Sequence, residues 1–254
     1  MEAIKLLNVR IDNYTSDELL RNLHKGVLVT PNIDDIVKHQ YNRDFHLNAS
    51  NAEFSVCDSR VVQLMSRIMG KPLKEAIPGS SFFPMYCDYH AKNENVKIFL
   101  LGAKDGVAEI AKEKINKRIG REIIVDVFSP PFGFEKSEEE CNKIVELLKK
   151  TTANVVLVGL GNPKQTNFIY DYKDRLPNIN LWMALGATID FEAGNIKRAP
   201  KIYQKLAMEW FYRFLKEPKR MFKRYFIDDM KFFWYFGKQL LGLYKDPFKH
   251  AEKE

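Results

Sequence analysis

Six stretches of the chain stay apolar through consecutive positions instead of alternating: "GVLVTPN" (26–32), "AEFSVCD" (52–58), "VKIFLLGA" (96–103), "EIIVDVFS" (122–129), "NVVLVGLG" (154–161) and "INLWMALGA" (179–187). Short continuous apolar runs are strands covered on both faces, as in parallel sheets. The segments between them carry apolar residues at helical spacing. Thr15 and Glu18 form a capping box, Lys104–Asp105–Gly106 opens a helix that runs toward Gly120, and Pro163 suits the first residue of the helix after the fifth run. Strand and helix in alternation predict an α/β fold with a mainly parallel sheet flanked by helices. The segment "SPPFGFEKSEEE" (129–140) reads as a surface connection between the strand near Val125 and the helix near Cys141.

The pattern changes after Asn195. "RAPKIYQKLAMEWFYRFLKEPKRMFKRYFIDDMKFFWYFGKQLLGLY" carries no strand signal, and Pro218 divides it into two helices. Residues 1–195 are therefore read as the core and 196–254 as a helical appendage. Charge sharpens the division. The formal net charge is +7, yet from Lys197 onward there are 15 Lys/Arg against 7 Asp/Glu, while the remainder is nearly neutral. The same end holds 15 of the 32 aromatic residues. Basic and aromatic together predict a surface for something anionic and apolar, a membrane face rather than nucleic acid, because "FFWYFGKQLLGLY" is nearly uncharged.

Three cysteines (Cys57, Cys87 and Cys141), far apart and without CxxC or Cys/His spacing, support neither a disulfide framework nor a zinc site. The first twenty residues lack the basic and long apolar regions of a signal peptide, and no run of about 18 apolar residues occurs. A cytoplasmic protein is expected.

Candidate chemistry gathers at the strand ends. Thr30 and Asn32 follow the first run, Asp58 the second, Gly159, Gly161, Lys164 and Gln165 the fifth, and Asp190 the sixth. The carboxyl ends of parallel strands line one crevice, the usual ligand site. Each residue taken alone reads first as a cap or turn former, and Lys164–Gln165 as an exposed pair beyond a tight turn; it is their convergence at the strand ends that points to a site. Gly159-x-Gly161 lacks the third glycine of a dinucleotide fingerprint, which leaves a nucleotide-dependent oxidoreductase as the weaker alternative. No Asp-x-Asp pair is present, so no metal is expected to hold a nucleotide diphosphate. Cationic side chains such as Arg213, Arg220 and Arg224, with helix N-termini, would have to meet that charge.

Seven segments, in order, resemble the WecG/TagA/CpsF glycosyltransferase family: "TPNIDD" (30–35), "CDS" (57–59), "KPLKEAIPGS" (71–80), "FLLGAKDGVAE" (99–109), "VVLVGLGNPKQTNF" (155–168), "ALGATIDFEAGNIKRAP" (184–200) and "MEWFYRFLKEPKRMFKRY" (208–225). The resemblance implies a Rossmann-like core with a C-terminal membrane-associating appendage. It also implies an inverting, metal-independent enzyme without cofactor, moving N-acetylmannosamine or a related sugar from a UDP donor to a polyprenyl-diphosphate-linked sugar. Such an enzyme works peripherally at the inner face of the cell membrane, in teichoic acid, capsule or exopolysaccharide synthesis; a homo-oligomer is compatible with it. By position, Asp58 matches the proposed general base, with Thr30, Asn32, Gln165 and the three arginines as further site residues. Gly102, Gly159, Gly161, Lys164, Gln165 and Asp190 are the expected donor-binding set. Three departures stand out: Ala76 where the family has arginine, Ser81 where it has aspartate, and "DSRV" (58–61) where it has a glycine-containing run. Arg60 is the residue placed to compensate, and a degenerate member that only binds donor is a further alternative.

Overall fold

The computed structural model describes residues 2–197, 199–200, 203, 209–216 and 218–249. A parallel six-stranded sheet forms the centre, in the order β4-β3-β8-β7-β5-β6. Its strands are β3 (Gly26–Val29), β4 (Phe54–Ser55), β5 (Ile98–Gly102), β6 (Ile124–Phe128), β7 (Val155–Gly159) and β8 (Leu181–Ala184). These are the six apolar runs, and the reason for their continuity is visible in the packing. Ile98, Leu100, Val155, Leu157, Leu181 and Met183 point into one buried cluster, and Phe99, Leu101, Val156, Val158, Trp182 and Ala184 into another across the sheet. Both faces are dry, so neither parity can be polar.

The first cluster is covered by α1 (Ser16–Asn22), α5 (Gly79–Tyr89), α6 (Val107–Ile119) and α9 (Thr188–Ala193); the second by α7 (Glu138–Lys150) and α8 (Lys164–Tyr172). Local signals hold where they carried a mechanism. Thr15 accepts from the Glu18 N–H at 3.2 Å while Glu18 Oε2 accepts from the Thr15 N–H at 2.8 Å, closing the capping box. Gly120 ends α6 in the left-handed region at φ 79°. The 129–140 segment is a loop only as far as Ser137, which caps α7; its glutamates form that helix's first turn.

Two features were not read from the sequence. β1 (Ala3–Leu6) and β2 (Val9–Asp12) form an antiparallel hairpin outside the main sheet. Its apolar side joins α2 (Ile33–Lys38) and α4 (Arg60–Ile68) in a third cluster, which also contains Phe232 and Phe236. Those two belong to α12 (Met230–Leu240), the last helix of the appendage. Past Pro218 the chain also breaks more than once. α10 (Glu209–Lys216) is followed by α11 (Pro218–Lys223), a π-helical turn over Arg224–Asp228, and then α12. Between β3 and β4, α3 (Arg43–Ser50) follows α2. Among the described residues no helix is long and apolar enough to cross a membrane.

Candidate active site

An open cleft of about 1000 Å³ lies beyond the carboxyl ends of the strands. β5 and β7 are neighbours, but the helices that follow them, α6 and α8, pack on opposite faces of the sheet. That divergence opens the crevice between them, the usual ligand position in such sheets.

Glycines let three strand exits stack backbone on backbone. A Cβ on Gly102, at φ +130°, would stand 2.5 Å from the Gly159 carbonyl oxygen; one on Gly159 would stand 2.8 Å from that of Gly186. Gly159 therefore serves strand packing as well as the cleft wall. Gly161 faces open space but needs its left-handed φ of 76° to turn the chain. Gly102 lies beneath the site, not among the residues that line it.

Thr30, Asn32, Asp58, Lys164, Gln165 and Asp190 all reach this cleft, so the structure brings together most of the expected set. Their bonds separate them by role. Gln165 is buried, with Oε1 accepting from the N–H groups of Gly161 and Gly186, both at 3.1 Å, and Nε2 donating to the Ala184 carbonyl at 3.1 Å. The reading of an exposed Lys–Gln pair is thus corrected: Gln165 is a clamp between the exits of β7 and β8. Asn32 caps α2, accepting from the Asp35 N–H at 3.2 Å. Asp190 Oδ1 accepts from Asn195 Nδ2 at 3.4 Å. Lys164 pairs with Glu135 at 2.7 Å, and its ammonium lies 4.8 Å from the Phe132 ring centroid. Burial draws the Glu135 carboxyl upward, but the Lys164 contact, a backbone hydrogen bond and the nearby Lys136 charge together outweigh it and the net shift is downward.

Asp58 is half-buried on the wall formed by the β4 exit and the start of α5. Its Oδ1 accepts from the Gly79 N–H, the first of α5, at 3.3 Å. Next to it, burial pushes the Cys57 thiol up to about 12, which keeps it protonated and no nucleophile. Arg60 is exposed and absent from the cleft lining, and Ala76 packs against the third apolar cluster. The side chains of Arg213, Arg220 and Arg224 lie outside the described residues.

Several cleft residues were not singled out from the sequence. Lys104 and Asp105 line one end, and Phe132, fully exposed, crowns the 129–137 loop over the cleft. Asp35 and Asn162 form the opposite wall. Asp35 carried the Asn32-x-x-Asp35 capping spacing, Lys104 and Asp105 sat in the helix opening before Gly106, and Asn162 in the Gly-Asn-Pro turn; Phe132 carried no such signal.

Comparison with known proteins fits this arrangement. The WecG/TagA/CpsF glycosyl transferase family profile matches residues 4–246. The chain belongs to that family. It is 28% identical over 198 residues to the N-acetylglucosaminyldiphosphoundecaprenol N-acetyl-beta-D-mannosaminyltransferase of Bacillus spizizenii, covering 78% of this chain and 74% of the relative. The protein is therefore a glycosyltransferase, and the oxidoreductase reading of the Gly-x-Gly turn is set aside.

Proposed function

We propose that this glycosyltransferase moves N-acetylmannosamine or a close relative from a UDP donor to a polyprenyl-diphosphate-linked sugar, inverting the anomeric centre without a metal. The Bacillus relative's name, which specifies an undecaprenol-diphosphate-linked N-acetylglucosamine acceptor and N-acetyl-β-mannosaminyl transfer, supports the substrate classes. One observation carries the mechanism: Asp58, the carboxylate at the expected general-base position, is half-buried on the wall of a cleft roomy enough for two sugars.

In this mechanism Asp58 accepts the proton of the acceptor hydroxyl as that oxygen attacks C1. The C1–O bond to the diphosphate breaks on the far side. Lys104 and Lys164 stand in the cleft to meet the charge that grows on the leaving diphosphate, with the N-terminus of α8 adding its partial positive charge. Arg213, Arg220 and Arg224 are proposed to complete that electropositive side. The acceptor's lipid keeps the enzyme at the membrane surface. Exposed Phe233 and Trp234 on α12, beside Lys231 and Lys238, supply the apolar and basic character such a surface attracts.

The test is UDP release from UDP-N-acetylmannosamine with polyprenyl-diphosphate-N-acetylglucosamine, with and without EDTA. Asp58→Asn keeps an acceptor for the Gly79 N–H, so the fold should hold while turnover falls by about 10²–10⁴-fold. Near-normal turnover in Asp58→Asn would remove Asp58 from the role. Loss of activity in EDTA with recovery on added magnesium would refute metal independence.

A further inference from the structure

Asp35 does more than its position in the sequence requires. As the N3 residue of α2 it completes a capping box, its Oδ2 accepting from the Asn32 N–H at 3.3 Å. Capping occupies one carboxylate oxygen, and most capping carboxylates stay in water. Asp35 is 4% exposed, and burial raises its carboxyl above the usual range. Burying a carboxylate is costly unless its remaining lone pairs are matched. Here the other oxygen, Oδ1, accepts from Asn162 Nδ2 at 3.0 Å, across 127 residues of sequence.

Asn162 sits in the turn between β7 and α8 and is held on three sides. Besides donating to Asp35, its Oδ1 accepts from Thr166 Oγ1 at 2.7 Å, and its carbonyl accepts from Lys38 Nζ at 3.2 Å. Lys38 is itself paired with Asp34 at 2.7 Å, one turn back on α2. The rest of that turn is held from within its own segment: the Gly161 N–H donates to Gln165 Oε1 at 3.1 Å, and the Gly161 and Pro163 carbonyls accept from the Gln165 and Asn167 N–H groups, both at 3.0 Å. The two walls of the crevice, one bearing Thr30 and Asn32 and the other Gly161 and Lys164, are thus tied at Asn162 by two bonds to α2, a buried one to the Asp35 carboxylate and a second from the Lys38 ammonium.

We propose that Asp35 is a positioning residue for sugar transfer: through Asn162 it fixes the β7–α8 turn against α2 and so sets the nucleotide-facing side of the cleft. This rests on the donor being held at that turn, as in the function proposed above. A loosened turn must be ordered each time donor binds, which weakens donor affinity by the fraction of time it is out of place. Acceptor affinity has no such dependence.

The test combines steady-state kinetics with amide hydrogen exchange on the full chain. Asp35→Ala removes the acceptor for Asn162 Nδ2 and breaks the buried link, leaving only the Lys38 bond between α2 and the turn. The expected result is a tenfold or larger rise in KM for the nucleotide sugar, KM for the lipid-linked acceptor unchanged, and faster exchange in residues 159–166. The exchanged pair Asp35→Asn/Asn162→Asp should restore both readouts, because it recreates one donor facing one acceptor. Should Asp35→Ala fail to fold, Asn162→Ala breaks the same link from its half-buried end and must give the same split. Wild-type exchange over 159–166 in either single variant, or no recovery in the exchanged pair, overturns the proposal. The exchange measurement needs no substrate, so a wrong donor assignment would show in the wild-type kinetics while the tie itself is still decided.

Discussion

Replacing Gln165 by Ala separates a clamp from a ligand hand. The side chain is 3% exposed and makes three bonds, two from the N–H groups of Gly161 and Gly186 and one to the Ala184 carbonyl. A net hydrogen bond is worth about 0.5–1.5 kcal/mol, and a buried group left without a partner costs about 1–3 kcal/mol. Gly161 and Gly186 border the open cleft, so water can reach part of the exposed backbone, and the low end of those ranges applies. The sum is about 3 kcal/mol. In a chain of this size each kcal/mol moves Tm by roughly 2–4 °C, so the expected drop is roughly 6–12 °C.

Urea and thermal unfolding followed by circular dichroism would measure it, with the slope m checked for constancy so that the change reports stability alone. Gln165→Glu should fall between: one oxygen still accepts from both N–H groups, but the other faces the Ala184 carbonyl. Donor binding should weaken in Gln165→Ala as well, since the β7 and β8 exits lose their common anchor. If Tm stayed within about 1 °C of wild type while turnover collapsed, Gln165 would be acting on substrate directly and the clamp argument would fail.

Acid should destabilise the fold through His39. Burial first, and then the charge of His46 beside it, hold the His39 imidazole down to about 3. The unfolded chain takes up that proton below about 6.5 and the folded chain does not. Stability is therefore complete above that value and falls as pH drops toward 3, by about 2 kcal/mol at pH 5. Neighbouring Asp35, its carboxyl raised by burial, contributes in the opposite sense. A His39→Gln variant should flatten the denaturation midpoint against pH between 5 and 7; an unchanged slope would assign the effect elsewhere. On the appendage, Phe233→Ser/Trp234→Ser should cut flotation with anionic liposomes by roughly tenfold or more while leaving Tm alone, because both rings are exposed, at 41% and 66%. Phe232→Ser should do the reverse, costing stability through the third apolar cluster.

The contrast between those neighbouring phenylalanines marks where sequence patterning stops being informative. "FFWYF" looks uniformly greasy, and composition alone assigns it to one surface; only the helix places Phe232 and Phe236 one turn apart against the hairpin and leaves Phe233 and Trp234 outside. The six central strands were legible because burial on both faces writes an unbroken apolar run, a signal independent of what lies next to it. The hairpin was not: "AIKL" and "VRID" are only four residues each, too short for their alternation to stand out, and gain their apolar partners from α2, α4 and α12, far away in sequence. The site divides in the same way. Thr30, Asn32, Asp58 and Asp190 could be placed at strand ends by counting, whereas the engagement of Gln165 and Asp35 depends on which distant backbone groups arrive beside them. Asp35 is the sharper case. Its capping spacing is complete within four residues and explains the residue locally, so nothing in the sequence asks for a second partner. That partner, Asn162, comes from a strand exit two positions away in the sheet order, since β8 lies between β3 and β7. A carboxylate that satisfies a local rule and a long-range one at once is where a fold can convert a helix cap into control of a binding wall, and the exchanged Asp35–Asn162 pair tests that conversion while keeping an acceptor for the Asn32 N–H.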